Sequence, residues 1–267
     1  MGRMVAHAPH SRGVGRAAAA YARAVDAVAG RRSFHPRAAA GKDHRLRAGT
    51  GDVARALDLL RDWDFHLSRD SAAAALSEVW WAKHLRPALL DTLAPNAEVR
   101  ALLVPGDTET LLDLLERQRV PNRDEILART LGAAMADCRA RMGDDAKQWA
   151  WGRLHHGYFE HTLSTVAKGF PDVGPVPKGG SSQTPFNAGY RLSDFRVTSG
   201  ASFRMVVDVG NWDNSRCINA PGQSGDPRSP HYADLAPTWA AGEFVPMLYT
   251  KDAIDKAADL RIILTPG

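Results

Sequence analysis

Histidine, cysteine and serine are the residues of this chain best suited to chemistry, and their spacing decides what each can do. A structural zinc site needs about four nitrogen or thiolate donors at short, regular spacings. The only cysteines are Cys138 and Cys217, too few for a thiolate cage or a disulfide framework. Past residue 50 the histidines are His66, His84, His155, His156, His161 and His231. Adjacent side chains on a helix or strand point apart, so His155 and His156 do not share one ion. No His-Glu-x-x-His and no Cys/His ligand spacing occurs. The histidines read as capping or core residues.

Serine chemistry needs a hydroxyl, a base and a group that orients the base. There is no Gly-x-Ser-x-Gly elbow. Ser224, His231 and Asp234 can be drawn as a triad. Seven residues across a proline-containing helix start do not bring an imidazole onto a hydroxyl, so these read as turn residues. Gly179-Gly180-Ser181-Ser182-Gln183 has the composition of a phosphate loop. It lacks the Gly-Lys-[Ser/Thr] ending and an apolar strand before it, and reads as a flexible loop. Residue types and spacing therefore assign no catalytic, cofactor-binding or metal-ligating position.

The elements that would carry a site begin near Asp52. Val53, Leu57, Leu60 and Trp63 recur at helical spacing. A second helix is predicted over 71–90, with Ser68 as its N-cap and Ala72, Ala75, Leu76, Val79, Trp80 and Leu85 on its apolar face. Asp107 is placed to cap a short helix bearing Leu111, Leu112, Leu114 and Leu115. Asn122 and Glu125 suit a capping box for a helix that runs to Met142 and stops at Gly143. Residues 157–220 then turn rich in Gly, Ser, Pro and β-formers. The stretch 169–184 reads as a loop, 202–209 as the strongest strand and Arg216–Asn219 as another. Ser229-Pro230 is a helix start leading to Trp239. A terminal helix over 250–259 and a strand over 260–264 complete the order. Helices followed by strands and short helices predict an α+β fold.

The charge is uneven. Residues 1–50 hold ten Lys/Arg against Asp26 and Asp43, and fourteen alanines. The other 217 residues carry 24 basic and 28 acidic groups, a net of −4, within a chain whose sum is +4. Residues 1–51 are therefore set apart as a basic leader, disordered or non-native, and residues 52–267 as the organised part. A basic arm can bind phosphate backbones. This one lacks the aromatic interleaving that a stacking groove uses, so no nucleic-acid partner is expected. No apolar run approaches the roughly 20 residues that span a bilayer, and 17–20 has no leucine-type signal core, so no membrane partner is expected either.

A set of motifs in order carries further information. They are Trp151-Gly152-Arg153-Leu154-His155, Gly200-Ala201-Ser202-Phe203-Arg204-Met205-Val206-Val207-Asp208 and Trp212-Asp213-Asn214-Ser215. Then come Pro221-Gly222-Gln223-Ser224-Gly225, Ser229-Pro230-His231-Tyr232-Ala233-Asp234, and Trp239 with Gly242-Glu243-Phe244. Upstream, Leu60-Arg61-Asp62-Trp63-Asp64 and Asp70-Ser71-Ala72-Ala73-Ala74 match a helical segment of the same family. From about Asp52 to Gly267 the chain resembles the penicillin acylase family of N-terminal-nucleophile amidases.

The resemblance implies the C-terminal portion of an αββα fold and of the large chain of a self-cleaving precursor. It implies hydrolysis of a linear amide to a carboxylic acid and an amine, on substrates such as β-lactam side chains or acyl-homoserine lactones. In the family an N-terminal Ser attacks while its own α-amine acts as base, and an Asn helps hold the oxyanion. No Gly-Ser-Asn processing junction occurs here, and residues 1–50 contain no Asn. Both catalytic groups are thus expected to lie outside this chain, and catalytic, cofactor-binding and metal residues are assigned to none of its positions. The matched motifs read as structural, with Trp212 and Trp239 as core. The implied partner is the missing N-terminal catalytic half, and the implied ligand of the complete enzyme is a small-molecule amide. Calcium is expected only in a full-length member, and a periplasmic or secreted location belongs to that full-length protein.

Overall fold

A computed structural model describes residues 51–61, 63–103 and 108–266. The readings on residues 1–50 and on Asp107 as a cap fall outside them. Helix α1 (Asp52–Arg61) buries Ala56, Leu57 and Leu60, as its spacing predicts. Helix α2 (Ala72–Val79) is capped by Ser71, whose hydroxyl accepts the Ala74 N–H at 3.1 Å. Ser68 instead lends its carbonyl to the Ser71 N–H, closing a turn one step earlier. A wide π-helical turn (Trp80–Leu85) leads into α3 (Arg86–Leu93). Pro87 has no N–H to give this ladder, and the Arg86 N–H reaches back five residues to Trp81. The predicted single helix is therefore continuous but widened at its middle.

Helix α4 (Ala97–Leu103) is followed by α5 (Thr108–Glu116), which buries Leu111, Leu112 and Leu115 in the core. The long α6 (Arg123–Met142) buries Ile126, Leu127, Thr130, Leu131, Ala134, Met135, Cys138 and Met142 on one stripe. Its start differs from expectation. Asn122 sits at φ 51, in the left-handed region that asparagine tolerates, so its side chain makes no cap and the capping box does not form. Its end is as expected, at Gly143 with φ 96. Arg139 binds both carboxylate oxygens of Asp52 and ties α6 to α1. The Trp80 indole N–H donates to the Thr130 hydroxyl at 2.9 Å inside the core, and the hydroxyl in turn donates to the Ile126 carbonyl.

The short helix α7 (Trp151–Leu154) turns the chain into the strands. Strand β1 (His156–Phe159) pairs antiparallel with β2 (Val173–Pro177), within the stretch expected to be loop. Pro175 and Pro177 hide β2 from propensity rules, yet a strand paired on one side tolerates them. Strands β3 (Ala188–Tyr190) and β4 (Val197–Gly200) form a second pair. Strands β5 (Phe203–Val206), β6 (Arg216–Asn219) and β7 (Val245–Pro246) make an antiparallel sheet in that order. β5 is shorter than predicted because the Asp208 carboxylate gathers Gly210, Asn211 and Asn214 into a turn.

Three C-terminal expectations are corrected. Ser229-Pro230 lies in consecutive turns, with the Ser229 hydroxyl taking the His231 N–H, and the helix α8 (Ala236–Ala240) begins later, with Pro237 in its first turn. Residues 260–264 follow α9 (Lys251–Ala257) and form no strand. Trp212 is 48% exposed, because the 3₁₀ turn that carries it sits on the surface, while Trp239 is buried as expected. A large core fills the helical half, and a smaller one of Ile218, Trp239 and Ala240 lies under the β5–β7 sheet. Helices and antiparallel strands are thus segregated, in agreement with α+β. Among the described residues no helix is long and apolar enough to cross a membrane.

Candidate functional site

The densest polar chemistry lies on the seam between the two halves. Helix α7 approaches β2 so closely that a Cβ on Gly152 would stand 2.8 Å from the Pro177 Cβ and 3.1 Å from the Arg69 carbonyl. At its end His155 is buried and stacked on Trp151, with ring centroids 4.7 Å apart. Its Nδ1 lies 2.8 Å from the Lys178 carbonyl and its Nε2 3.1 Å from the Ala188 carbonyl. A neutral imidazole has one N–H for these two acceptors. Burial nevertheless holds its pKa below the usual histidine range, against the pull of both carbonyls.

The Trp151 indole donates to the Gly180 carbonyl at 2.8 Å, and the Gly180 N–H donates to Leu67. Gly180 has φ 82, and the Phe186 carbonyl stands where a Cβ would go. The Ser181 N–H bonds the Thr184 hydroxyl, and the Ser181 hydroxyl accepts the Gln183 N–H. The stretch 179–183, read as a flexible loop, is an internally bonded strap, buried at Gly179, Gly180 and Ser181 and exposed at Ser182 and Gln183. The amides of Gly180, Ser181 and Gln183 are spent on protein acceptors rather than gathered into a phosphate cradle.

Two further groups flank the strap. The Tyr190 hydroxyl donates to Glu78 Oε2 at 2.7 Å, and removal from water pushes the Glu78 carboxyl up to about 7 despite that bond. Lys178 is 1% exposed, with Nζ 3.0 Å from the centre of the Phe186 ring and, among the described residues, only the Gly179 carbonyl, at 3.5 Å, as a hydrogen-bond partner. Burial, then the nearby Arg204 charge, pulls its pKa down to about 7. The Arg204 guanidinium lies over the rings of Phe186, Trp239 and Phe244 and donates through Nη2 to the Trp239 carbonyl, while its buried Nε has no hydrogen-bond partner among the described residues. No motif marked Glu78, Lys178 or Arg204 as unusual. Their perturbation comes from tertiary burial, which local spacing does not encode.

The residues weighed from sequence are dispersed. His231 Nδ1 lies 2.8 Å from the Asp234 carboxylate, so that pair forms. The Ser224 hydroxyl instead accepts the Asp226 N–H, and the Ser224 N–H donates to the His231 carbonyl. His66 pairs with Asp64 and His84 with Asp137, and His161 stacks on Phe170. Among the described residues no three His, Cys, Asp or Glu side chains cluster to hold a metal ion. Cys138 is buried in α6, where desolvation pushes its thiol up to about 12, and Cys217 lies on β6; both are free. An open groove of about 640 Å³ is lined only by residues of the loop 164–171.

Comparison with known proteins gives a consistent picture. A family model described as penicillin amidase matches residues 16–256, a span that takes in part of the basic N-terminal segment. An acyl-homoserine lactone acylase QuiP of Pseudomonas aeruginosa is 30% identical over 244 residues, covering 79% of this chain and 29% of that protein. The QuiP of Pseudomonas putida is 32% identical over 247 residues, covering 83% of this chain and 30% of that protein. A penicillin acylase 2 proenzyme of Pseudomonas sp. strain SE83 is 39% identical over 148 residues, 54% of this chain and 18% of that protein. The chain spans less than a third of the length of these curated relatives.

Proposed function

Because this chain belongs to the penicillin amidase family, we propose that it is the C-terminal portion of an acylase that hydrolyses linear amide bonds of acylated amines. The observation that carries this is the near full-length family match joined to coverage of only 18–30% of the relatives named above. In the complete protein the reaction releases a carboxylic acid and an amine. An acylated homoserine lactone or a β-lactam side chain is the proposed substrate class, after the names of the relatives.

By itself the chain is proposed to be inactive, with the nucleophilic Ser and the oxyanion Asn supplied by sequence it does not contain. The hydroxyls of Ser181 and Ser224 support this, since each is engaged by a backbone N–H two residues on rather than by a base. A second reading keeps the same chemistry and changes the organisation. The chain then acts as a non-catalytic complementation subunit for a separately encoded catalytic half. The exposed apolar residues of its C-terminal sheet favour it.

The test is hydrolysis of a chromogenic phenylacetyl amide by the purified chain. No turnover above buffer is expected. Turnover that is lost in Ser181→Ala, Ser182→Ala or Ser224→Ala would place the nucleophile in this chain, and turnover surviving all three would place it elsewhere in the chain. Either result overturns the proposal of inactivity.

A further inference from the structure

Beside the strap stand two cations that no acid answers. Lys178 and Arg204 share the rings of Phe186 and Trp239. The Lys178 Nζ lies 3.0 Å from the centre of the first and 5.1 Å from the second, and the Arg204 Cζ 4.9 Å and 5.8 Å. The Arg204 charge is near enough to depress the Lys178 pKa, and among the described residues no carboxylate bonds to either side chain. Holding like charges together out of water costs free energy that an anion would return. Arg204 cannot relieve this cost, because a guanidinium keeps its proton. A neutral Lys178 amine removes the repulsion, yet it leaves the buried Arg204 Nε without an acceptor.

We propose that Lys178 is a carbamylation site, whose amine takes up dissolved carbon dioxide to form a carbamate that pairs with Arg204. The neutral Nζ attacks the carbon of carbon dioxide with its lone pair. An N–C bond forms, one C–O π bond opens to an oxyanion, and the nitrogen gives a proton to water. Amine and carbon dioxide become carbamate and a proton, with nothing oxidised or reduced. The product turns two like charges into an opposite pair and supplies the acceptor that Arg204 Nε lacks. The surroundings favour the step. Burial keeps much of the amine unprotonated near neutral pH, with its pKa at about 7. Access suits a small apolar molecule. The Phe186 ring that covers Nζ is only half-buried and sits between the exposed Pro185 and Asn187. The step needs no residue outside this chain and stands apart from the acylase reading.

Chemical trapping tests this. The full 267-residue chain, freed of carbon dioxide, is given isotopically labelled bicarbonate and then triethyloxonium, which fixes a carbamate as its ethyl ester. Mass spectrometry of the digest is expected to find the labelled ester on Lys178 and not on the exposed Lys147 or Lys251. The carbamate carbon signal in the NMR spectrum of the folded chain should vanish in Lys178→Met. Arg204→Gln keeps the lysine and removes the opposite charge, so occupancy is expected to fall about tenfold at wild-type circular dichroism. No ester on Lys178 of the wild-type chain overturns the proposal. Equal labelling of Lys147 and Lys251 overturns it too, as ordinary amine chemistry. Unchanged occupancy in folded Arg204→Gln overturns the pairing with Arg204. The first two readings are made on the wild-type chain, so they decide the site even where Arg204→Gln does not fold.

Discussion

Among the described residues, only aromatic faces and one distant carbonyl answer the Lys178 ammonium group. A lysine whose pKa falls from 10.5 to about 7 on folding binds fewer protons folded than unfolded across that window. Stability must therefore rise as pH rises from about 7 toward 10.5, and the full cost is borne below 7. Lys178→Met keeps a flexible stem against Phe186 and removes the charge. It forfeits a cation–π contact worth about 1–2 kcal/mol, set against a desolvation cost of several. The variant is expected to be roughly 1–3 kcal/mol more stable at pH 6 and to lose the gain at pH 10, read from urea midpoints at both pH values. A variant less stable at pH 6 would mean that the ammonium is paired in solution. Nothing in Val176-Pro177-Lys178-Gly179 announces any of this. A lysine before two glycines reads as surface loop until packing brings Trp239 and Phe186 onto it. The buried His155, by contrast, fits the reading of the histidines as capping or core residues.

At the level of elements, the three-and-four spacing of apolar residues was enough to place α1 and α2, because burial of one stripe is what makes those helices stable. Ends were less legible, since a cap depends on the local turn rather than on the stripe. Ser68 and Ser71 were equally good caps by type, and backbone geometry chooses Ser71, with φ −87 and ψ 122. Ser71→Ala is expected to cost about 1 kcal/mol and Ser68→Ala only a few tenths, by thermal or urea unfolding. The reverse order would contradict the assigned cap. β2 was missed because two of its five residues are proline, and its pairing depends on β1 and on the approach of α7. That approach gives a second measurement. Gly152→Ala puts a methyl group 2.8 Å from Pro177 Cβ and close to the Arg69 backbone, so α7 and β2 must part. A loss of roughly 2–3 kcal/mol is expected, as for overpacked cores, and a neutral outcome would show that the seam is slack.

For the whole molecule the segregation of helices from strands was legible from composition, and the inequality of the two cores was not. The helical half shares one extended cluster running from Ala56 to Trp151 and Phe195. The sheet half rests on Ile218, Trp239 and Ala240, beneath a sheet whose edge faces water. Conformational entropy must be met by burial within each half, and the sheet half buries far less. What holds it is the seam: His155 between the Lys178 and Ala188 carbonyls, the Trp151 indole on Gly180, and Tyr190 on Glu78. These bonds couple the halves without merging their cores. The sheet half is therefore expected to open at lower urea than the helical half, as a separate cooperative unit. Native-state hydrogen exchange should show amides of β5 and β6 exchanging through a sub-global opening while those of Ile126, Leu131 and Met135 on α6 wait for global unfolding. Far-UV ellipticity, dominated by the helices, should fall after the loss of the Trp239 fluorescence signal, identified by difference against Trp239→Phe. Coincident transitions with equal exchange free energies would show a single cooperative unit, with the seam as strong as either core.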